Sequence, residues 1–473
     1  MKDNTHHLTS AQAWYPVALF AIASLILPAL MANAATLTVK PGELIQAAVA
    51  RAVPGDRIEV LPGTYRETVY IDKDRIELHG IVQGGTWPVL DGESTRNDGI
   101  LVSGHGVSIE RMWVRRYKGN GIMTQGANNY RIVHNVVEGP CFYAIFPQFG
   151  KNGLVAYNVA YASEDAAIYV GMSDSVDVIH NETYASIMGI ESENSHNILI
   201  ADNYVHDNVL GIATTMLPGL PLKTSDNIVV RNNFIVRNNA KNFAPPGAIT
   251  AGVPAGVGVL VLGTDHTVVE GNLIRDHDSA GILFTETNFF VTTPDDKIDP
   301  FPDGGQVLRN VFLNNGAQPR DLVKDLLEAG GLSRGVDLLA TGKGHDNCVA
   351  DRETITALGI KRFSDCPATA STASVTTLRT KDPVVAPAYT AAQKGRLTYL
   401  AVCTGCHTYD SKLVGPPMVV VKALYGKDSR RLADWIAKPT RKRPDYAEMP
   451  PQNYLPEDVR LAVANYILNE LAH

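Results

Sequence analysis

The chain has 473 residues, 45% hydrophobic and 19% charged, with a formal net charge of −7. That balance excludes a disordered or strongly basic chain and gives nucleic acid no footing. Five cysteines in so long a chain exclude a small disulfide scaffold, and the length suggests two or three domains unless stacked repeats carry it.

Lys2 precedes an apolar run from Val17 to Leu30, closed by Ala32-Asn33-Ala34. The run has 14 residues, short of the ~20 that span a bilayer. Residues 1–34 are therefore expected to be a signal peptide cut near Ala34, leaving a periplasmic chain with no membrane span. Next come Gly55-Asp56-Arg57-Ile58 and Leu61-Pro62-Gly63-Thr64-Tyr65-Arg66-Glu67, turn and strand signals without an obvious period.

From residue 120 onward the chain repeats itself. Asparagines after short β-branched or apolar runs stand at Asn135, Asn158, Asn181 and Asn203, in steps of 23, 23 and 22 residues. In phase with them run Ile122, Ile145, Ile168, Ile190 and Ile212, each after Gly or Ala. A period this short, rich in β-branched residues and punctuated by Gly and Asn, suits a coil of about three strands. The isoleucines should stack as one interior ladder. The asparagines should stack at a bend, where the side-chain amide bonds to the next coil and tolerates an unusual backbone angle. The series goes on to Asn233, Asn272 and Asn310 in steps of 30, 39 and 38. The extra residues are insertions near Met216–Thr224, Ala240–Gly256 and Glu286–Asp303, placed to gather on one side.

With its opening between Ala47 and Gly80, this stretch resembles the pectin-lyase-like superfamily of right-handed parallel β-helices, over roughly Leu37 to Asn315. That resemblance implies a short amphipathic helix capping the first coil and, for activity, little. The expected layout is a β-helix over 35–320 and a C-terminal cap over 321–366. A linker rich in Ala, Ser, Thr and Pro follows over 367–386, and a separate domain over 387–473. Cys348 and Cys366 are placed to form a disulfide in an oxidising compartment, and Cys141 reads as a small buried hydrophobe in a strand.

Cys403-Thr404-Gly405-Cys406-His407 has the spacing for covalent attachment of one haem c, two thiols for the vinyl groups and an adjacent His for the iron. A second CxxC or a His cluster that would favour zinc is missing. Two methionines compete for the sixth position. Met418 follows Gly415-Pro416-Pro417, only 11 residues past His407, whereas Met449 lies 42 residues on. A chain must travel around the porphyrin to reach its far face, which favours Met449. Residues 387–473, with Lys412-Leu413-Val414-Gly415-Pro416, resemble a small all-α class I cytochrome c. The resemblance implies that the Pro416 carbonyl accepts a hydrogen bond from His407 and that Met449 completes a His/Met pair. This segment holds 12 Lys/Arg against 8 Asp/Glu, a net +4 that leaves −11 elsewhere. Its basic run Arg441-Lys442-Arg443 is placed to steer an acidic redox partner.

On the β-helix the repeat puts Met123, Phe146, Tyr169 and Glu191 in one outward column and Gln125, Gln148 and Glu193 in its neighbour. His134, Tyr157 and His180 fall in another. His134, His180, Glu191, Glu193 and Tyr169 are the candidate catalytic groups there, each weighed against an ordinary solvated strand face. Three functions stay open: electron transfer with the β-helix as docking scaffold for a redox partner or polysaccharide; a carbohydrate-active enzyme (sugar oxidoreductase, lyase or epimerase); and a periplasmic assembly factor with NosD-like coils.

Overall fold

The structure, a computed structural model, describes residues 34–473 apart from 246–247, 292–294, 386, 442 and 473. The expected signal peptide thus falls almost wholly outside the described residues. Short strands, most of three to six residues, wind into three parallel sheets. Among the described residues, sheet A has 13 strands, from Thr36–Val39 to Ser364–Asp365; sheet B has 10, from Gly63–Tyr65 to Val311–Leu313; sheet C has 11, from Val69–Ile71 to Ala357–Leu358. One coil runs through Arg131–Val133 in sheet A, Val136–Glu138 in sheet B and Ile145–Gln148 in sheet C, then returns to sheet A at Lys151–Ala156. This is the expected right-handed parallel β-helix.

The isoleucine ladder forms as expected. Ile122 pairs with Ile145, Ile145 with Ile168, Ile168 with Ile190 and Ile190 with Ile212, all 0% exposed. Each such burial contributes about 1.5–3 kcal/mol, so stacking rewards the same residue at the same place in every coil.

The asparagine ladder closes the bend between sheets A and B. The Asn135 amide donates to the Asn158 Oδ1 at 2.9 Å, Asn158 to Asn181 at 3.0 Å and Asn181 to Asn203 at 2.9 Å. The chain of bonds continues through Asn233 and Asn272 to Asn310, so the longer steps are insertions between intact coils. One detail differs. The left-handed residue is the one before each Asn, at φ 57° for His134, 58° for Tyr157 and 56° for His180. A second ladder, at the bend between sheets B and C, has no single residue type: Ser163, Ser186, Asn208, Asn238, His277 and Asn315. Burial lowers the His277 pKa to about 4, so its ring sits neutral as a link in that ladder.

Helix α1 (Ile45–Arg51) buries Ile45, Ala48 and Val49 over the first coil, the expected cap. At the other end the coils run further than their period suggested. After α2 (Asp321–Ala329), Val336–Ala340 pairs with Ala280–Thr285 and Cys348–Val349 pairs with Gln306–Leu308. The segment expected only as a cap therefore extends sheets C and A. Cys348 and Cys366 are disulfide-bonded, with Cα atoms 4.9 Å apart. Cys141 lies half-buried in a bend between strands, not in a strand.

The stretch 367–386 differs most from expectation. Its described residues, 367–385, run back along sheet A as a strap. Glu270 accepts from Ser371 Oγ at 2.8 Å and from the Thr372 amide at 2.6 Å. Asp177 accepts from the Leu378 amide at 2.9 Å and Arg379 Nε at 3.1 Å. Asn129 exchanges two 2.8 Å bonds with the Val384 backbone. Polar residues without a hydrophobic period suggested a free linker, yet their donors match acceptors on the outer face of the sheet. The strap delivers the last helices, α3 (Ala391–Thr398), α4 (Met418–Tyr425), α5 (Ser429–Ala437) and α6 (Glu457–Asn465), to the early coils, and Ala35–His473 forms one unit.

Candidate functional site

The helices enclose an apolar crevice. Helix α3 starts in a capping box between Thr390 and Gln393 and crosses α6 at Gly395, where an added Cβ would lie 2.3 Å from the Ala462 carbonyl oxygen. After α3 the chain turns through Cys403, and the Cys406 and His407 amides both donate to the Cys403 carbonyl, at 3.1 and 3.0 Å. That turn brings both thiols and the imidazole to one wall. The crevice holds about 1320 Å³ of space free of protein atoms, mouth included. Leu432, Ile436, Val463 and Ile467 line it beside Cys403, Cys406, His407, Met418 and Met449.

His407 is oriented as the sequence resemblance implied. Its Nδ1 donates to the Pro416 carbonyl at 2.8 Å, leaving the Nε2 lone pair for a ligand. Gly415 packs flat on the imidazole, and a Cβ there would stand 2.3 Å from the ring Cε1. The Met418 amide donates to the Thr408 carbonyl at 2.9 Å, which ties Met418 to the His407 side, whereas Met449 arrives on a separate segment after α5. Burial, then the neighbouring Cys406, pushes the Cys403 thiol up to about 12; burial, then Asp98, raises Cys406 to about 11. Both are thus held as thiols near neutral pH rather than activated as thiolates.

Arg441 and Arg443 stand at the mouth. Arg443 pairs with Asp445 at 2.6 Å and Arg441 hydrogen-bonds the Pro444 carbonyl, so the basic run is less available to an outside partner than its sequence suggested. Lys442 lies outside the described residues.

The early coils cover one side of this module. Leu101 and Met123 share an apolar cluster with Ala401, Leu455 and Val459, and Gln125 Nε2 donates to Thr398 Oγ1 at 3.2 Å. Phe142 lies against Gly405, between Cys403 and Cys406. Asn97 lines the crevice itself, and its neighbour Asp98 accepts from the Tyr454 hydroxyl at 3.0 Å. None of Asn97, Asp98 and Phe142 was found from the sequence, because none lies on a repeating position that carries chemistry.

The β-helix candidates divide. His134, Tyr157 and His180 form a ring stack at an exposed corner, with centroids 4.9 and 4.8 Å apart; the stack converges on no pocket, and its left-handed backbone gives it a place in the coil. Tyr169, Glu191 and Glu193 share the outer face of sheet C but are not solvated, at 4%, 4% and 7% exposure. Apolar and aromatic neighbours, including Tyr143 and Phe146, cover that face. The Tyr169 hydroxyl donates to Glu193, and Thr215 Oγ1 donates to Glu191 at 3.1 Å. Asp165, which the repeat did not bring forward, joins them with Tyr143. Burial raises the pKa of all three carboxyls, and their mutual charge adds to the rise of Asp165 and Glu191. Among the described residues no group of three His, Cys, Asp or Glu is arranged to hold a metal ion, and no helix is long and apolar enough to cross a membrane.

Comparisons with known proteins bear on the coils. No curated protein matches the sequence. Among solved structures, the mannuronan C-5 epimerase AlgE4 A-module of Azotobacter vinelandii is 15% identical over 59% of this chain and 90% of its own, with a TM-score of 0.34. DFA-IIIase from Arthrobacter chlorophenolicus A6 is 13% identical over 64% and 89%, TM-score 0.38. An alginate lyase from Paenibacillus is 13% identical over 60% and 99%, TM-score 0.37. The family model described as periplasmic copper-binding protein (NosD) matches residues 68–249 and 107–321. These two matches together span residues 68–321, more than half of the 473, and the chain belongs to that family.

Proposed function

We propose that this is a periplasmic mono-haem c-type cytochrome whose NosD-family β-helix serves as the docking scaffold for a redox partner or a polysaccharide. One observation carries the reading: both thiols of the attachment motif and a Pro416-oriented His407 open into one large apolar crevice. Cys403 and Cys406 would hold haem c covalently, and His407 and Met449 would ligate its iron. The group would supply one-electron storage. The residues do the rest. Pro416 fixes the imidazole tautomer, Gly415 lets the ring lie flat, and the apolar lining excludes water. Met449 offers a neutral thioether, which raises the reduction potential relative to a second imidazole.

The test is expression in cells that attach haem c. Haem should remain with the denatured chain, Cys403→Ser with Cys406→Ser should lose it, and Met449→Ala should abolish the Met–iron absorption band that Met418→Ala retains. A wild-type chain without covalent haem refutes the proposal. Loss of the band only in Met418→Ala reverses the ligand assignment.

A second reading, a carbohydrate-active enzyme, draws on the buried carboxyls Asp165, Glu191 and Glu193, whose raised proton affinities suit general acid–base work. Uronate polymers and neutral glycans decide it. Product formed without haem reduction, and lost in Glu193→Gln, supports a lyase or epimerase; haem reduction by one glycan supports an oxidoreductase; neither outcome removes the reading.

A further inference from the structure

The β-helix does more than carry the haem module, because it reaches the loop that bears the distal methionine. Between Met449 and α6 runs Pro450-Pro451-Gln452-Asn453-Tyr454-Leu455-Pro456. Three prolines make the stretch stiff, so a restraint at Tyr454 is felt at Met449. Within the helical module the Gln452 amide donates to the Ile436 carbonyl at 3.0 Å and Arg460 Nη1 of α6 donates to the Leu455 carbonyl. A further restraint, on the Tyr454 side chain, comes from outside the module. Asp98 is 0% exposed and sits where the chain enters the sheet C strand Ile100–Val102. Its Oδ2 accepts from Tyr454 at 3.0 Å and from Asn97 Nδ2 at 2.7 Å, and its Oδ1 accepts from the Asn120 amide and side chain, both at 3.0 Å. The carboxylate is thus fixed from its own coil and the next, and presents one remaining bond to the haem module. Leu455 beside Tyr454 is 2% exposed and packs in the cluster of Leu101 and Met123. On the other side of Met449, the described residues among 441–448 are mostly exposed, and besides bonds among themselves they are held by Lys412 Nζ, which donates to the Asp445 carbonyl at 2.8 Å.

Resting on the electron-transfer reading, we infer that Asp98 is a positioning residue for the distal ligand. It locks the Met449 loop through Tyr454, so the β-helix sets the strength of the Met449–iron bond. A cytochrome module usually carries its whole ligand cage, whereas here one strut belongs to the scaffold. Movement of the early coils on partner binding would then reach the haem through this bond.

The experiment uses the full haem-loaded chain and measures the affinity of imidazole, which displaces Met449, alongside covalent haem content. Tyr454→Phe removes only the hydroxyl; Asp98→Ala removes the acceptor. The expected result is unchanged haem content with imidazole affinity raised about tenfold in each, the size of one lost hydrogen bond. The double variant should bind imidazole no more tightly than Asp98→Ala alone, because the two residues act through one contact. A merely destabilised coil would not give that non-additivity. Haem present with imidazole affinity unchanged in Tyr454→Phe overturns this inference alone, as does full additivity. No covalent haem in the wild type overturns the electron-transfer reading and this inference with it.

Discussion

Glu270 tests whether the strap is part of the fold. The side chain is 8% exposed and accepts from Arg309 Nη2 at 2.7 Å, Ser371 Oγ at 2.8 Å, and the Thr372 amide and hydroxyl at 2.6 and 2.5 Å. Burial opposes its ionisation, but the Thr372, Arg309 and Ser371 hydrogen bonds outweigh burial and hold its pKa at about 2, against 4.5 unperturbed. A depressed carboxyl adds stability that is present above the unfolded value and lost as pH falls through the folded one. The window is therefore roughly pH 4.5 down to 2. A shift of this size corresponds to at most about 3–4 kcal/mol, shared between Arg309 on the coil and the strap. Glu270→Gln keeps the shape and removes the charge, so the strap near Thr372 should open ten- to a hundredfold more often. Amide exchange at residues 370–373 reads that opening directly, and wild type below pH 4 should approach the variant. Equal protection in both proteins at pH 7 refutes the claim that the carboxylate holds the strap.

Two further outcomes follow from the geometry. Gly415→Ala should push the imidazole off Pro416, because the new Cβ falls 2.3 Å from the ring; the expected result is an order-of-magnitude fall in covalent haem yield, measured as haem retained after denaturation. Asn181→Ala should destabilise the β-helix by about 3 kcal/mol in urea unfolding, since it orphans the buried Asn158 amide and leaves the Val155 carbonyl without its side-chain donor. Asn310→Ala, at the end of the same ladder, should cost less; an equal loss would refute the ladder as a shared network.

The coils were legible because in-register stacking requires the same residue at the same place in each turn, so Ile122 to Ile212 and Asn135 to Asn310 wrote their own contacts. The Ser163 to Asn315 ladder was not, because hydroxyl, amide and imidazole can each make the same bond and no residue type recurs. The last coil was hidden by α2, which interrupts the period between Ala280–Thr285 and Val336–Ala340. In the helical module the placing of Cys403, Cys406 and His407 together was legible from spacing alone, and the Pro416 contact from resemblance.

The site of docking had a signal in the sequence too, in the composition of the runs rather than in their period. A strand with one solvated face alternates apolar and polar residues, and one buried on both faces does not. Sheet B alternates, as in Glu182-Thr183-Tyr184 and Tyr204-Val205-His206, with exposed or half-buried outer residues. Sheet C does not: Ala166-Ala167-Ile168-Tyr169-Val170-Gly171 and Val257-Gly258-Val259-Leu260-Val261-Leu262 are apolar throughout and buried at every position. In sheet A, Leu199 and Val229 are apolar where a free outer face would be polar, and Leu378 of the strap covers them. Continuous apolar runs in two sheets of three mean that something covers two faces. The strap and the helical module cover part of them, and α2 and the insertions, through Leu217, Ala240, Val253 and Phe290, pack on sheet C as well. The same runs explain why Tyr169, Glu191 and Glu193 are buried although the repeat suggested a solvated strand face: they lie on a face that apolar runs close to water.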